Sequence, residues 1–199
     1  MDFSWTEEQE MIRKMARQFA GEIREEAAAA EEKGEFSRTI TRKMGENGFL
    51  GMCVPEEYGG QALDFLSYLI ATEEISRASA GQGMTVGLHN SLVNYPLLHF
   101  GTEEQKRKYL KGAATGELLG CYALSEPDAG SDASHIKTTA VKKGDRYVIN
   151  GTKIFITNGS VADFVIVFTR LDRGGAGTRG MSAFLVDKAT PGFSIGTIE

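Results

Sequence analysis

The hydrophobic pattern of this chain changes period once, near residue 117, and does not change back. From about residue 6 to 115, apolar residues recur every three or four positions. From about 118 onward, β-branched and aromatic residues gather in short runs between turn residues. A parallel α/β sheet needs the two periods to alternate, so a single switch predicts two domains of different class. The expectation is an α+β chain: an all-α helical domain over 1–117, then a β-barrel or packed-sheet domain over 118–199.

Local signals place the helices. Thr6, followed three positions on by Gln9, has the form of a capping box, and Ile12, Met15, Ala16, Phe19, Ala20 and Ile23 then recur at helical spacing, with Gly34 as the stop. A second helix is predicted over 38–47, ending at Gly48. Pro55, Gly59 and Gly60 mark a loop, and 65–79 is helical again. The apolar stretch 81–99 predicts a buried helix whose small early residues are closely approached by another group. Thr102 and Gln105 repeat the capping box and open a helix reaching residue 110.

Lys143-Gly144-Asp145 and Asn150-Gly151 are hairpin turn signals, and they divide strands predicted over 136–142, 146–149 and 152–157. Further strands are predicted over 164–170 and 181–187. Gly175, Gly177 and Gly180 fit the spacing of a dinucleotide fingerprint. That motif works only when it opens a helix, because the pyrophosphate sits on the helix N-terminus, and here a strand pattern follows.

Composition removes several function classes. With 22 basic and 27 acidic side chains the net charge is −5, which lacks the concentrated basic face that a nucleic-acid backbone needs. No apolar run nears the ~20 residues of a membrane span. The acidic start MDFSWTEEQE lacks the order of a secretory or transit leader, so a cytoplasmic location, or a chain already processed, is expected. Cys53 and Cys121 stand far apart and outside any C-x-x-C pair, which suits buried thiols. His89, His99 and His135 are isolated, so no metal site is expected.

Two segments carry chemistry. In the first, Cys121-Tyr122-Ala123-Leu124-Ser125-Glu126-Pro127-Asp128-Ala129-Gly130-Ser131-Asp132, a strand runs into a loop rich in hydroxyls and carboxylates. Such a loop can aim backbone N–H groups and a hydroxyl at an anionic or heterocyclic ligand. In the second, Asn150 to Gly159, Phe155 and Thr157 stand two apart and so on one face of the predicted strand. That arrangement suits stacking on a flat ring while hydrogen-bonding its edge. A hairpin with solvated polar ends fits the same residues.

The stretch Ala123 to Asp132 resembles the acyl-CoA dehydrogenase signature, and NGTKIFITNG resembles that family's second flavin-contact segment. PEEYGG and GTEEQKRKYL are similar to further landmarks in the family order. The resemblance implies FAD, lined by Tyr122, Ala123, Leu124, Ser125, Gly130 and Ser131 in the first segment and by Phe155, Ile156 and Thr157 in the second. It implies that Leu124 and Ser125 face the pyrimidine edge of the flavin. Ser131 would sit near the FAD phosphates and the CoA end of the substrate, Phe155 on the ring, and Thr157 at N5. Asp128 and His135 depart from the family pattern, and His135 is read as a surface residue.

The implied reaction is α,β-dehydrogenation of an acyl-CoA to the trans-2-enoyl-CoA, with electrons passing to an electron-transferring flavoprotein and a homotetramer as the intact assembly. Acyl length is left open among short, medium and branched chains. Two alternatives remain: an acyl-CoA oxidase or flavin monooxygenase of the same fold, and a non-catalytic flavin- or CoA-binding subunit. In the family the base comes from a C-terminal helical bundle. The sequence stops at Glu199 inside a strand-like run, so the bundle is expected to be absent, the β-domain incomplete, and the base to lie beyond residue 199; no catalytic residue is named.

Overall fold

The computed structural model describes residues 4–171 and 177–198. The chain divides into two compact units, Met1–Leu119 and Gly120–Glu199.

The first unit is helical. Helix α1 (Glu7–Lys33) starts at the expected capping box. The Thr6 hydroxyl accepts from the Gln9 N–H at 3.2 Å and the Gln9 side chain accepts from the Thr6 N–H at 3.1 Å; the helix ends at Gly34 in the left-handed conformation. Ala16, Phe19, Ala20, Ile23 and Ala27 form its buried stripe, whereas Met15, expected inside, is half exposed. Helices α2 (Arg38–Glu46) and α3 (Phe65–Ser76) supply Ile40, Met44, Tyr68, Ala71 and Ile75 to the same core, and Phe49 packs its ring 5.1 Å from that of Phe19. Glu74 on α3 is buried and takes Arg13 at 3.1 Å and Arg17 at 2.8 Å from α1, so the carboxylate crosslinks the two helices.

Helix α4 (Ala80–Leu88) widens into a π turn at His89–Asn94 and continues as α5 (Tyr95–Phe100). Pro96 lies at the start of α5 and has no N–H to donate, a common cause of a local change in winding. The π turn aims two buried amides at one loop: Asn90 donates to the Phe49 carbonyl at 2.8 Å and Asn94 to that of Leu50 at 2.7 Å. The group expected close to the early residues of this stretch is Ser76 of α3, which a Cβ at Gly83 would strike. Helix α6 (Glu103–Gln105) opens on the second capping box and passes through a π turn at Lys106–Leu110 into α7 (Lys111–Thr115), five residues beyond the expected end.

Where α2 ends it meets the end of α7 so closely that a Cβ on Gly45 would lie 2.1 Å from the Thr115 carbonyl oxygen. Ala has the better helix propensity by about 1 kcal/mol, but the obstacle is backbone that cannot rotate away, so overpacking at about 1–3 kcal/mol wins. We expect Gly45→Ala to lower the denaturant midpoint with an unchanged m-value.

The second unit is a five-stranded sheet: β1 (Gly120–Ala123), β2 (Thr139–Lys143), β3 (Arg146–Asn150), β4 (Phe164–Leu171) and β5 (Met181–Asp187). Strand β4 is its centre. β5 pairs antiparallel along 164–170, while β1 and β2 run parallel to β4 at 164–167 and 170–171, so they share its other edge end to end. Among the described residues the sheet is open, which corrects the barrel alternative. The β2–β3 hairpin turns at Gly144, as expected. One face carries Cys121, Ala123, Val165 and Val167, against which Val186, Ile156 and Phe193 pack.

The strand predicted over 152–157 does not form. Lys153 is drawn inward by polar partners and Phe155 takes φ 54°, so the two-residue alternation that a strand requires is broken. The same-face argument for Phe155 and Thr157 fails with it. Of the glycine fingerprint, Gly175 lies outside the described residues; Gly177–Gly180 form a 3-10 turn leading into β5 rather than a helix.

Candidate functional site

Strand β1 delivers the first segment to the end of the sheet. Tyr122 is half buried with its ring 4.8 Å from that of Phe168, and burial raises its phenol. Cys121 and Ala123 face the core, and desolvation pushes the Cys121 thiol to about 12, so it is inert at neutral pH. After Ala123 the chain leaves the sheet. Leu124 and Ser125 are half buried; Glu126 and Ala129 close a tight turn by mutual backbone bonds of 2.9 and 3.1 Å; Gly130 and Ser131 lie exposed. Asp132 then accepts from the Ser134 N–H at 3.0 Å and starts a short 3-10 turn.

The second segment is brought beside the first. The Ile154 N–H donates to the Ser125 carbonyl at 3.0 Å, and the Lys153 ammonium donates to the Leu124 carbonyl at 2.9 Å and to Glu126 Oε1 at 2.7 Å. Gly151 makes this approach feasible, since a Cβ there would overlap the Thr138 side chain. Ile156 turns inward against the Cys121 face of the sheet, and Thr157 begins the turn in which the Gly159 N–H donates to the Ile156 carbonyl at 2.8 Å.

Phe155 points outward and is 76% exposed. A bulky residue at φ 54° is strained by about 1–2 kcal/mol. Strain held in place by neighbouring bonds, on an apolar ring left in the open, marks a place where the ring has something to cover. Among the described residues, the hydroxyls of Ser125, Ser131 and Thr157 are not taken up by another side chain. An exposed ring on a segment bonded to the Ser125 loop fits the face of a flat heterocycle with polar edges.

Glu126 and Lys153 were not foreseen as site residues. Glu126 is 5% exposed and accepts from the Lys137 and Thr138 N–H groups as well as from Lys153. Burial alone would raise its carboxyl; the Lys137 N–H, the Lys153 ammonium and Thr138 outweigh that and hold it at about 2. Burial lowers the Lys153 ammonium more than its partner raises it. The only sequence hint was a lysine within an apolar run, Lys153-Ile154-Phe155-Ile156, where a charge must find a partner.

Other expected positions are surface or core features. Asp128 is exposed, with Lys137 at 2.6 Å; His135 is exposed, with Asp132 at 2.7 Å; His89 is buried; and His99 packs at a tilt against the Tyr95 ring at the surface. Cys53 is half buried and forms no disulfide. Among the described residues no cluster of His, Cys, Asp or Glu could hold a metal, and no helix is long and apolar enough to cross a membrane.

Residues 6–117 match the family model "Acyl-CoA dehydrogenase, N-terminal domain", and residues 121–199 match "Acyl-CoA dehydrogenase, middle domain". The chain is 48% identical to "Acyl-CoA dehydrogenase, short-chain specific" of Clostridium acetobutylicum over 100% of its own length and 52% of the relative's. It is 50% identical, with a TM-score of 0.93, to a chain in the solved structure described as "Electron transferring flavoprotein of Acidaminococcus fermentans", covering all of this chain and 52% of that one. A Bacillus anthracis acyl-CoA dehydrogenase solved in complex with FAD matches at 40% identity and a TM-score of 0.89, over 98% of this chain and 34% of that one. The chain spans about half the length of the curated relatives it matches. With both family models matched in order across nearly the whole sequence, the chain belongs to the acyl-CoA dehydrogenase family.

Proposed function

We propose that the protein containing this chain is an FAD-dependent dehydrogenase of short-chain acyl-CoA thioesters, forming the trans-2-enoyl-CoA and passing electrons to an electron-transferring flavoprotein, as a homotetramer. Phe155 carries the reading, as an exposed ring on strained backbone pinned beside the signature loop by the Ile154–Ser125 bond. The similarity to a short-chain-specific dehydrogenase supports the acyl length, and the match to a chain solved with an electron-transferring flavoprotein supports the partner.

Bound here, FAD would supply the acceptor for the β-hydride of the thioester. The chain's own residues would hold it: Phe155 would cover the ring, Thr157 would donate its hydroxyl at the ring edge, and Leu124 and Ser125 would offer main-chain and hydroxyl groups to the pyrimidine side. Gly130 and Ser131, exposed at the loop tip, would lie toward the phosphates and the CoA end. Tyr122, Ala123 and Ile156 pack inward, so their contribution is main-chain placement.

We assign no base among these residues. The buried carboxylates Glu74 and Glu126 are fixed by cations and backbone N–H groups and held below the ordinary carboxylate range, which is poorly matched to abstracting a weakly acidic proton at neutral pH. The test is anaerobic mixing of the full-length protein with butyryl-CoA and with longer acyl-CoAs. Flavin bleaching with enoyl-CoA formed fastest from the short substrate is expected. Bleaching by none of them would contradict the proposal.

A further inference from the structure

We propose that Glu126 and Lys153 form a buried positioning pair that sets the orientation of the ligand-facing peptide groups in both segments of the site. This rests on the flavin reading above and adds two residues to it.

In a trans peptide the carbonyl and the following N–H point in opposite directions in one plane. The Lys153 ammonium holds the Leu124 carbonyl at 2.9 Å, so the Ser125 N–H in that plane is turned away from Lys153. One residue along, the Ile154 N–H holds the Ser125 carbonyl at 3.0 Å. Lys153 and Ile154 thus fix two successive peptide planes of the signature loop. The same two residues lead directly into Phe155, whose strained backbone needs fixed neighbours on both sides.

Lys153 can do this only because Glu126 neutralises it. Their side chains are 10% and 5% exposed, and the nitrogen and oxygen are 2.7 Å apart. The carboxylate in turn takes the Lys137 and Thr138 N–H groups, which ties the pair to the approach of β2. One ion pair therefore links three chain segments that are distant in sequence, and two of them carry the proposed flavin contacts. A buried charge is costly unless paired and hydrogen-bonded, so the arrangement is rigid rather than adaptable.

The test compares wild-type full-length protein with Lys153→Met and Glu126→Gln, reading the FAD dissociation constant, the visible circular dichroism of bound flavin and the thermal midpoint. Both variants are expected to bind FAD weaker by about tenfold or more, the order expected when one hydrogen bond to a ligand is misaimed, with an altered visible dichroism. Glu126→Gln keeps the side-chain length and one acceptor oxygen, enough for one of the two N–H groups, and carries the test if Lys153→Met does not fold. A lower thermal midpoint with FAD affinity within about twofold of wild type and superimposable dichroism would show a merely structural pair and overturn the proposal. Wild-type protein that takes up no flavin would instead overturn the flavin reading itself.

Discussion

Replacing Glu126 by alanine is expected to destabilise the protein by about 3–5 kcal/mol, the size seen when one partner of a buried ion pair is removed. The change strands the Lys153 ammonium in a site where its side chain is 10% exposed, and it leaves the Lys137 and Thr138 N–H groups without their acceptor. The asymmetry of the pair is itself testable. Lys153→Met leaves Glu126 with two backbone donors and should cost less than Glu126→Ala. Adding Lys153→Met to Glu126→Ala should recover much of the loss, because the unpaired charge is gone.

The same residue has a pH signature. Its carboxyl lies at about 2 in the folded protein against an ordinary value of 4.5. A depressed folded pKa contributes stability that is complete above the unfolded value and is lost as pH falls through the folded one. Here that is about 3 kcal/mol, disappearing between about pH 4.5 and 2. Other carboxylates with lowered values, Glu74 and Asp64 among them, tilt the curve in the same direction. The stability difference between wild type and Glu126→Ala cancels their share. Urea unfolding in steps of pH should show that difference shrinking on acidification; a gap that stays constant down to pH 2 would remove Glu126 as its source.

The second large effect separates stability from cofactor retention at one position. Phe155→Asn should weaken FAD binding by about 1–3 kcal/mol, the range for loss of an aromatic stacking platform. It should leave the fold as stable as before or raise it by up to about 1 kcal/mol, because asparagine tolerates the left-handed backbone that phenylalanine occupies at φ 54°. Little packing is lost, since the ring is 76% exposed. Flavin fluorescence titration and denaturant unfolding of the same preparation read the two quantities. A variant that loses stability and keeps its flavin would show that the ring serves the fold rather than the ligand.

What the sequence could disclose followed the range of the interaction involved. Both capping boxes, the stop at Gly34 and the turn at Gly144 depend on residues within a few positions, and all four stand where the pattern put them. The change from helices to a sheet was legible because periodicity averages over many residues. The segment at 152–157 was misread because its β-like composition was overruled by a contact 27 positions away, from Lys153 to Glu126. Met15 matched the helical spacing but falls just off the stripe that α3 covers. Family likeness pointed to the residues expected around a flavin; the Glu126–Lys153 ion pair among them could be seen only once the segments lay side by side.

The most direct measurement of the central claim is the flavin content of the purified full-length protein, released by denaturation and identified by mass spectrometry, beside that of Phe155→Asn. Close to one FAD per chain is expected in the wild type, with a clear deficit in the variant after gel filtration. Equal FAD in both, or none in the wild type after reconstitution, would contradict it.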